Sequence, residues 1–250
     1  MTLPRTSIEL LVGRIHRDVR LRQGEDWFDS TAKHGQANGT ANSKYRGKAM
    51  IDYIKGNLVE ARDALERLIN NSAQLGNIEA SASLLIEALE RGRRVISCGN
   101  GGSMCDAMHL AEELSGRFRD DRPAMAAVAI SDPSYISCVA NDYGYEQVFA
   151  RFVQGNGSAE DILFAISTSG NSPSVVLAAQ AARAKGMRVI GLTGRPHSQL
   201  ELHADICICT SAGQYADRVQ ELHIKVIHIL IELVERALQP KNYENESPRV

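Results

Sequence analysis

Ile162-Leu163-Phe164-Ala165-Ile166-Ser167, followed at once by Thr168-Ser169-Gly170-Asn171-Ser172-Pro173, decides the fold. The first half is apolar without alternation, as a strand covered on both faces must be. The second half breaks the strand with Gly and Asn and opens a helix, with Pro set for its first turn. The same strand-to-helix grammar repeats on either side. Short apolar runs at Arg94 to Cys98, Met125 to Ile130, Arg188 to Thr193 and Asp205 to Thr210 read as further strands. Helices are predicted at 103–119, 145–154, 173–185 and 214–238. Ahead of them, 50–71 and 77–91 read as amphipathic helices, with Ile54, Leu58, Ala61, Leu65 and Leu68 at helical spacing in the first. Five strands alternating with helices predict an α/β fold, a doubly wound five-stranded parallel sheet with N-terminal helices.

Three segments follow from this pattern. Residues 1–49 form an N-terminal extension of flexible composition, 50–240 the α/β domain and 241–250 a C-terminal tail. Within the extension, His34 to Lys44 is small, polar and aperiodic. Ile8 to Val19 reads as a short helix, and Trp27, the single Trp, also falls here; Met50 is a possible alternative start.

Composition excludes several classes of function. Of 250 residues, 28 are basic and 30 acidic, for a net charge of -2, so nothing favours a nucleic-acid partner. No apolar run approaches the roughly 20 residues of a membrane helix, and the first residues lack the order of a secretory signal. Five cysteines, Cys98, Cys105, Cys138, Cys207 and Cys209, lack C-x-x-C spacing and read as reduced thiols of a cytoplasmic protein.

In a doubly wound sheet, ligands bind beyond the carboxyl ends of the strands. After the first strand stands Gly99-Asn100-Gly101-Gly102-Ser103. Its glycines allow close backbone approach, and the helix that follows offers free N–H groups to an anion. It is neither a dinucleotide fingerprint nor a P-loop; a plain turn with a Ser cap is the bland alternative. The turn from Ser167 to Ser172 has more hydroxyls than one cap uses, which favours a phosphate held without Lys or Arg.

On the helix after the first turn, His109 and Glu113 are four apart and share a face, with Arg117 on the same stripe. Such a pair suits a metal or acid–base chemistry, and a solvated helix face is the ordinary alternative. The last helix is apolar nearly all round yet carries Gln220, His223 and His228. Gln220 and His228 lie about 80° apart in projection, His223 and His228 about 140°, so either histidine is free to be the core residue.

These motifs in this order resemble the sugar isomerase (SIS) domain family, whose sheet is flavodoxin-like. The segments Cys98 to Arg119, CGNGGSMCDAMHLAEELSGRFR, and Ala216 to Ile229, ADRVQELHIKVIHI, are similar to its phosphoheptose isomerases. The likeness runs from about Met50 to about Leu238. It implies a cytoplasmic homotetramer that converts D-sedoheptulose 7-phosphate to D-glycero-D-manno-heptose 7-phosphate for bacterial surface polysaccharide. It implies zinc on His109, Glu113, Gln220 and His228, with Glu113 and His228 also moving protons. Substrate contacts are implied at Asn100, Gly101, Gly102, Glu113, Asn141, Asp142, Ser167, Thr168, Ser169, Ser172 and Gln220. By itself, Asn141-Asp142-Tyr143-Gly144 reads only as a turn. Met104 stands where relatives carry His or other residues. Two other readings compete: an isomerase of a five- or six-carbon sugar phosphate, and a non-catalytic SIS protein that binds a regulatory partner such as a replication initiator. The second has no use for the acid–base set retained here.

Overall fold

A computed structural model describes residues 48–244. Residues 1–47 of the extension, with Ile8 to Val19 and Trp27, lie outside the described residues. The chain divides into two compact units, residues 1–54 and 55–250, and the sheet and the candidate site belong wholly to the second.

Helices α1 (Lys48–Ile69) and α2 (Ser72–Glu90) precede the sheet, and Asn71 caps α2 by accepting from Gln74 N–H at 3.2 Å. Then follow β1 (Val95–Cys98), α3 (Gly102–Ser115), β2 (Ala127–Ala129), α4 (Pro133–Tyr143) and, after a single 3-10 turn at Tyr145–Gln147, α5 (Val148–Asn156). The second half comprises β3 (Ile162–Ser167), α6 (Pro173–Ala184), β4 (Arg188–Thr193), α7 (Gln199–His203), β5 (Ile206–Cys209) and α8 (Ala216–Leu238). A last 3-10 helix, Pro240–Tyr243, reaches into the segment read as tail and buries Tyr243. All four strand pairs are parallel, in the order β2-β1-β3-β4-β5. The fold is therefore the expected α/β sheet, with the strand order of flavodoxin-like proteins.

The pleat of β3 explains the three layers. Ile162, Phe164 and Ile166 pack against α1, α2, α3 and α8, while Leu163 and Ala165 face α4, α5 and α6. Both faces are covered, which is why β3 reads as an unbroken apolar run. The edge strand β5 is covered by side chains of α2: Asn77 Nδ2 donates to Cys207 O at 2.8 Å, and Cys209 N–H donates to Gln74 Oε1 at 2.6 Å. Those bonds satisfy backbone groups that an open edge would leave exposed. Burial pushes the Cys98 thiol up to about 12 and the Cys207 thiol to about 11, so both remain protonated, and the five cysteines are free.

Several bounds shift from the sequence reading, α2 for one beginning at Ser72 rather than 77, and three differences change the picture. The segment 133–143 is a helix, with Asn141 and Asp142 in its last turn and Gly144 closing it at φ +90°. Asp132 caps it, accepting from Tyr135 N–H at 2.6 Å, and Pro133 opens it. Helix α3 ends at Ser115, not 119, so Arg117 lies beyond the helix and off its stripe. The second strand shrinks to Ala127–Ala129 because it is a sheet edge, paired with β1 alone.

Candidate active site

Strand order reverses between β1 and β3: β1 leads toward β2, and β3 leads toward β4. At such a switch point the loops leaving adjacent strands diverge and open a crevice. The two turns singled out above leave these two strands.

In the first turn the backbone does the work. Gly101, at φ +56°, is the N-cap of α3, and no side chain caps the helix. Ser103 sits buried inside the first turn, so the plain Ser-cap alternative fails; instead Ser103 N–H and Met104 N–H turn back to Asn100 O at 3.1 Å and Gly101 O at 2.9 Å. A Cβ at Gly99 would lie 2.5 Å from Ser103 O, and one at Gly102 would collide with the amide of Gln220. Gln220, from α8, therefore rests on the glycine turn. Asn100 is held at both ends: its Nδ2 donates to Ser174 Oγ at 3.0 Å, and Tyr145 Oη donates to its Oδ1 at 2.9 Å. Tyr145 and Ser174 escaped the sequence reading, since only tertiary packing brings them to Asn100.

The second turn bonds to itself. Ser167 Oγ donates to Ser172 Oγ at 3.1 Å, Gly170 N–H donates to Ser167 Oγ at 3.1 Å, and Asn171 N–H donates to Ser169 Oγ at 3.2 Å. Thr168 O accepts from Gly194 N–H at 3.0 Å, which ties the turn to the end of β4. Ser172 is the N-cap of α6, yet its hydroxyl makes no cap bond. The hydroxyls are thus spent on the turn rather than on capping, and the N-terminus of α6 follows them.

A third group lies between α3 and α8. His109 Nε2 stands 3.1 Å from His228 Nε2 and 3.1 Å from Glu113 Oε1, and His228 Nε2 stands 3.7 Å from Glu113 Oε2. Glu113 is 14% exposed, against 39% for His109 and 37% for His228, and its Oε2 makes no hydrogen bond. A tetrahedral ion with bonds of about 2.0–2.2 Å separates its ligands by about 3.3–3.6 Å. The three separations, 3.1, 3.1 and 3.7 Å, bracket that spacing, and the orphan carboxylate oxygen supplies negative charge. Among the described residues this is the group of His, Cys, Asp and Glu able to hold a metal ion. Burial holds the His228 imidazole below its ordinary value, with the Glu113 carboxylate pulling the other way. A neutral ring suits both a ligand and a proton acceptor.

The choice between the two α8 histidines is resolved here. His223 is fully buried against the end of β4, and burial pushes it down to about 4. His228 faces the group on α3. Asp106, one turn before His109, is a further neighbour; burial raises its carboxyl to about 6, partly offset by His109. Asn141 Nδ2 donates to Asp142 Oδ1 at 2.8 Å, and among the described residues neither side chain hydrogen-bonds to the two turns. His203 closes the short helix α7, where it meets Gln180 at 3.0 Å.

This arrangement can hold an anion, a polyol and a divalent ion together. Comparisons with known proteins identify the family. The SIS domain family profile matches residues 58–194. The chain belongs to that family. The phosphoheptose isomerase of Proteus mirabilis is 53% identical over 188 residues, 75% of this chain and 98% of the relative. That of Vibrio cholerae is 49% identical over 187 residues, again 75% and 98%. Among solved structures, a phosphoheptose isomerase from Neisseria gonorrhoeae superposes with TM-score 0.69 at 32% identity, covering 74% of this chain and 98% of that one. One from Francisella tularensis gives 0.70 at 30%, covering 75% and 98%. Within the SIS domain family, then, the chain groups with the phosphoheptose isomerases, which are aldose–ketose isomerases.

Proposed function

We propose that this SIS domain protein converts D-sedoheptulose 7-phosphate to D-glycero-D-manno-heptose 7-phosphate through an enediol, supplying heptose for bacterial surface polysaccharide. The observation that carries the reading is the meeting of His109, Glu113 and His228 beside two anion-friendly turns. A protein that only binds a partner needs no such meeting.

The chemistry follows from the groups. The Ser167, Thr168, Ser169 and Ser172 hydroxyls and the N-terminus of α6 bind the phosphate, with no cation in the turn to hold it too tightly. Asn100, Gly101, Gly102 and Gln220 line the sugar, and Asn141 and Asp142 meet its far end when substrate is bound. Glu113, whose Oε2 has no donor of its own, takes the proton from C1 of the ketose and returns it to C2. His228 relays a hydroxyl proton from O1 to O2, so the carbonyl moves from C2 to C1 with no net gain or loss of protons. His109, Glu113 and His228, with Gln220 as a neutral fourth ligand, would hold zinc. When bound, zinc supplies positive charge that polarises the carbonyl.

We further propose a cytoplasmic homotetramer. Met108 and Ile229, exposed apolar neighbours of His109 and His228, support an assembly that covers this face, as do Leu58 and Val59 on α1. The free cysteines support a reducing compartment, and no described helix is long and apolar enough to cross a membrane. Turnover of sedoheptulose 7-phosphate, with and without a chelator, tests the reading. Activity that the chelator removes and zinc restores is expected. Equal or better turnover of arabinose or fructose phosphates would overturn the heptose assignment.

A further inference from the structure

The helix that carries Glu113 and His109 is anchored by a charge pair far from the turns. The carbonyls at the end of α3 have no partners within the helix. Arg122, in the loop that follows, fills that role: its Nη1 donates to Leu114 O at 2.8 Å and Gly116 O at 3.2 Å, and its Nη2 donates to the carbonyl of Glu113 itself. The remaining donor, Nε, reaches Glu235 Oε1 at 2.7 Å, with side chains 0% and 1% exposed. The other Glu235 oxygen accepts from Tyr243 Oη at 2.7 Å. Glu235 lies on α8 seven residues after His228, two turns along and within about 20° of the same face. One guanidinium thus joins the backbone of Glu113 to the helix that bears His228.

A buried ion pair is weak evidence for stability, because desolvation consumes most of its attraction. Its worth is geometric when both partners are fully hydrogen-bonded and few other arrangements satisfy them. The planar fork of Arg meets four carbonyls, Pro123 O at 3.3 Å included, and a carboxylate at once, which the point charge of Lys does not. We infer that Arg122, seated by Glu235 and Tyr243, is a positioning residue that sets the separation of the α3 and α8 groups of the site. This rests on the proposed roles of His109, Glu113 and His228.

The test uses the full-length protein with Arg122→Lys, Tyr243→Phe and, as a control for plain destabilisation, Val153→Ala, which opens the apolar core on the other face of the sheet. Cobalt binding is followed by visible absorption without substrate, and kcat and KM are measured with sedoheptulose 7-phosphate. In Arg122→Lys we expect kcat to fall and cobalt binding to weaken by roughly tenfold each, with KM within about twofold, because a misplaced ligand helix costs chemistry before phosphate grip. Tyr243→Phe moves both the same way by about threefold, since it loosens only Glu235. Val153→Ala lowers the melting temperature and leaves kcat and cobalt affinity unchanged. Should Arg122→Lys fail to fold, Tyr243→Phe decides alone. If the folded variants match Val153→Ala in kcat and cobalt affinity, the positioning role is overturned. Failure of the underlying site reading shows separately, as full activity in Glu113→Gln.

Discussion

The turn after β3 and the group between α3 and α8 are built in opposite ways. In the turn, Ser167, Ser169, Asn171 and Ser172 bond to one another within one short stretch of chain. In the group, His109 and His228 come from positions 119 residues apart, and Glu113 Oε2 is left without a donor. A polar segment that satisfies itself keeps its shape whether or not a ligand is present. A buried oxygen with no donor has unspent attraction for a cation or a proton. The first region is built to be rigid, and the second is built to react.

If that contrast holds, the largest loss comes from the reactive region. Glu113→Gln keeps shape and size but removes the base, so kcat should fall by roughly 10²–10⁴-fold. The fold should persist, since the Glu113 carboxylate meets only His109 and His228, both partly exposed. Near wild-type kcat would break the contrast at its centre. Next in size is an effect outside the site, on the helix that bears His228. His223, fully buried, is held at about 4 against an ordinary 6.5. Between those values the unfolded chain binds a proton that the folded chain refuses, so stability falls as pH drops from 6.5 towards 4. The expected loss is on the order of 3 kcal/mol at most. Urea melts at neutral and acidic pH should show it, and His223→Leu should flatten that part of the profile.

The same contrast explains what could be read ahead of the fold. Five strands, their parallel sense and both turns were legible because each is written in one contiguous stretch: an unbroken apolar run, then glycines or hydroxyls. His109 and Glu113 were legible as a pair because four residues on a helix fix their relation. His228 was not separable from His223 by periodicity, since the distinction depends on which face of α8 meets α3. Tyr145, Ser174 and Arg122 carried no sequence signal, because their roles exist only after distant segments pack. Helix α4 was missed although its signal, Asp132 followed by Pro133, was present; the polar Asn141-Asp142 pair read as a turn and masked it.

Gly102→Ala probes the join between the two regions, where Gln220 of α8 rests on the glycine turn. The added Cβ would collide with the Gln220 amide, which must swing aside. Both the sugar contact and the proposed fourth metal ligand move together, so kcat/KM should fall by roughly ten- to a hundredfold. Cobalt affinity should weaken in parallel. A variant that loses turnover while keeping cobalt affinity would remove Gln220 from the metal and leave it with the sugar alone.

Ser172→Ala is the smallest change and the sharpest test of the self-satisfied turn. Ser172 occupies the N-cap of α6 but makes no side-chain cap bond, so the usual penalty of about 1 kcal/mol for losing a cap should be absent. The lost hydroxyl accepts only from Ser167 Oγ, which remains close to Ser169 Oγ at 3.4 Å. Folding stability should therefore change by less than about 0.5 kcal/mol. The phosphate, in contrast, loses one donor to a charged acceptor, which raises KM by about tenfold with kcat unchanged. The opposite outcome, a normal KM with a clear fall in melting temperature, would make Ser172 a cap after all and return the turn to an ordinary helix start.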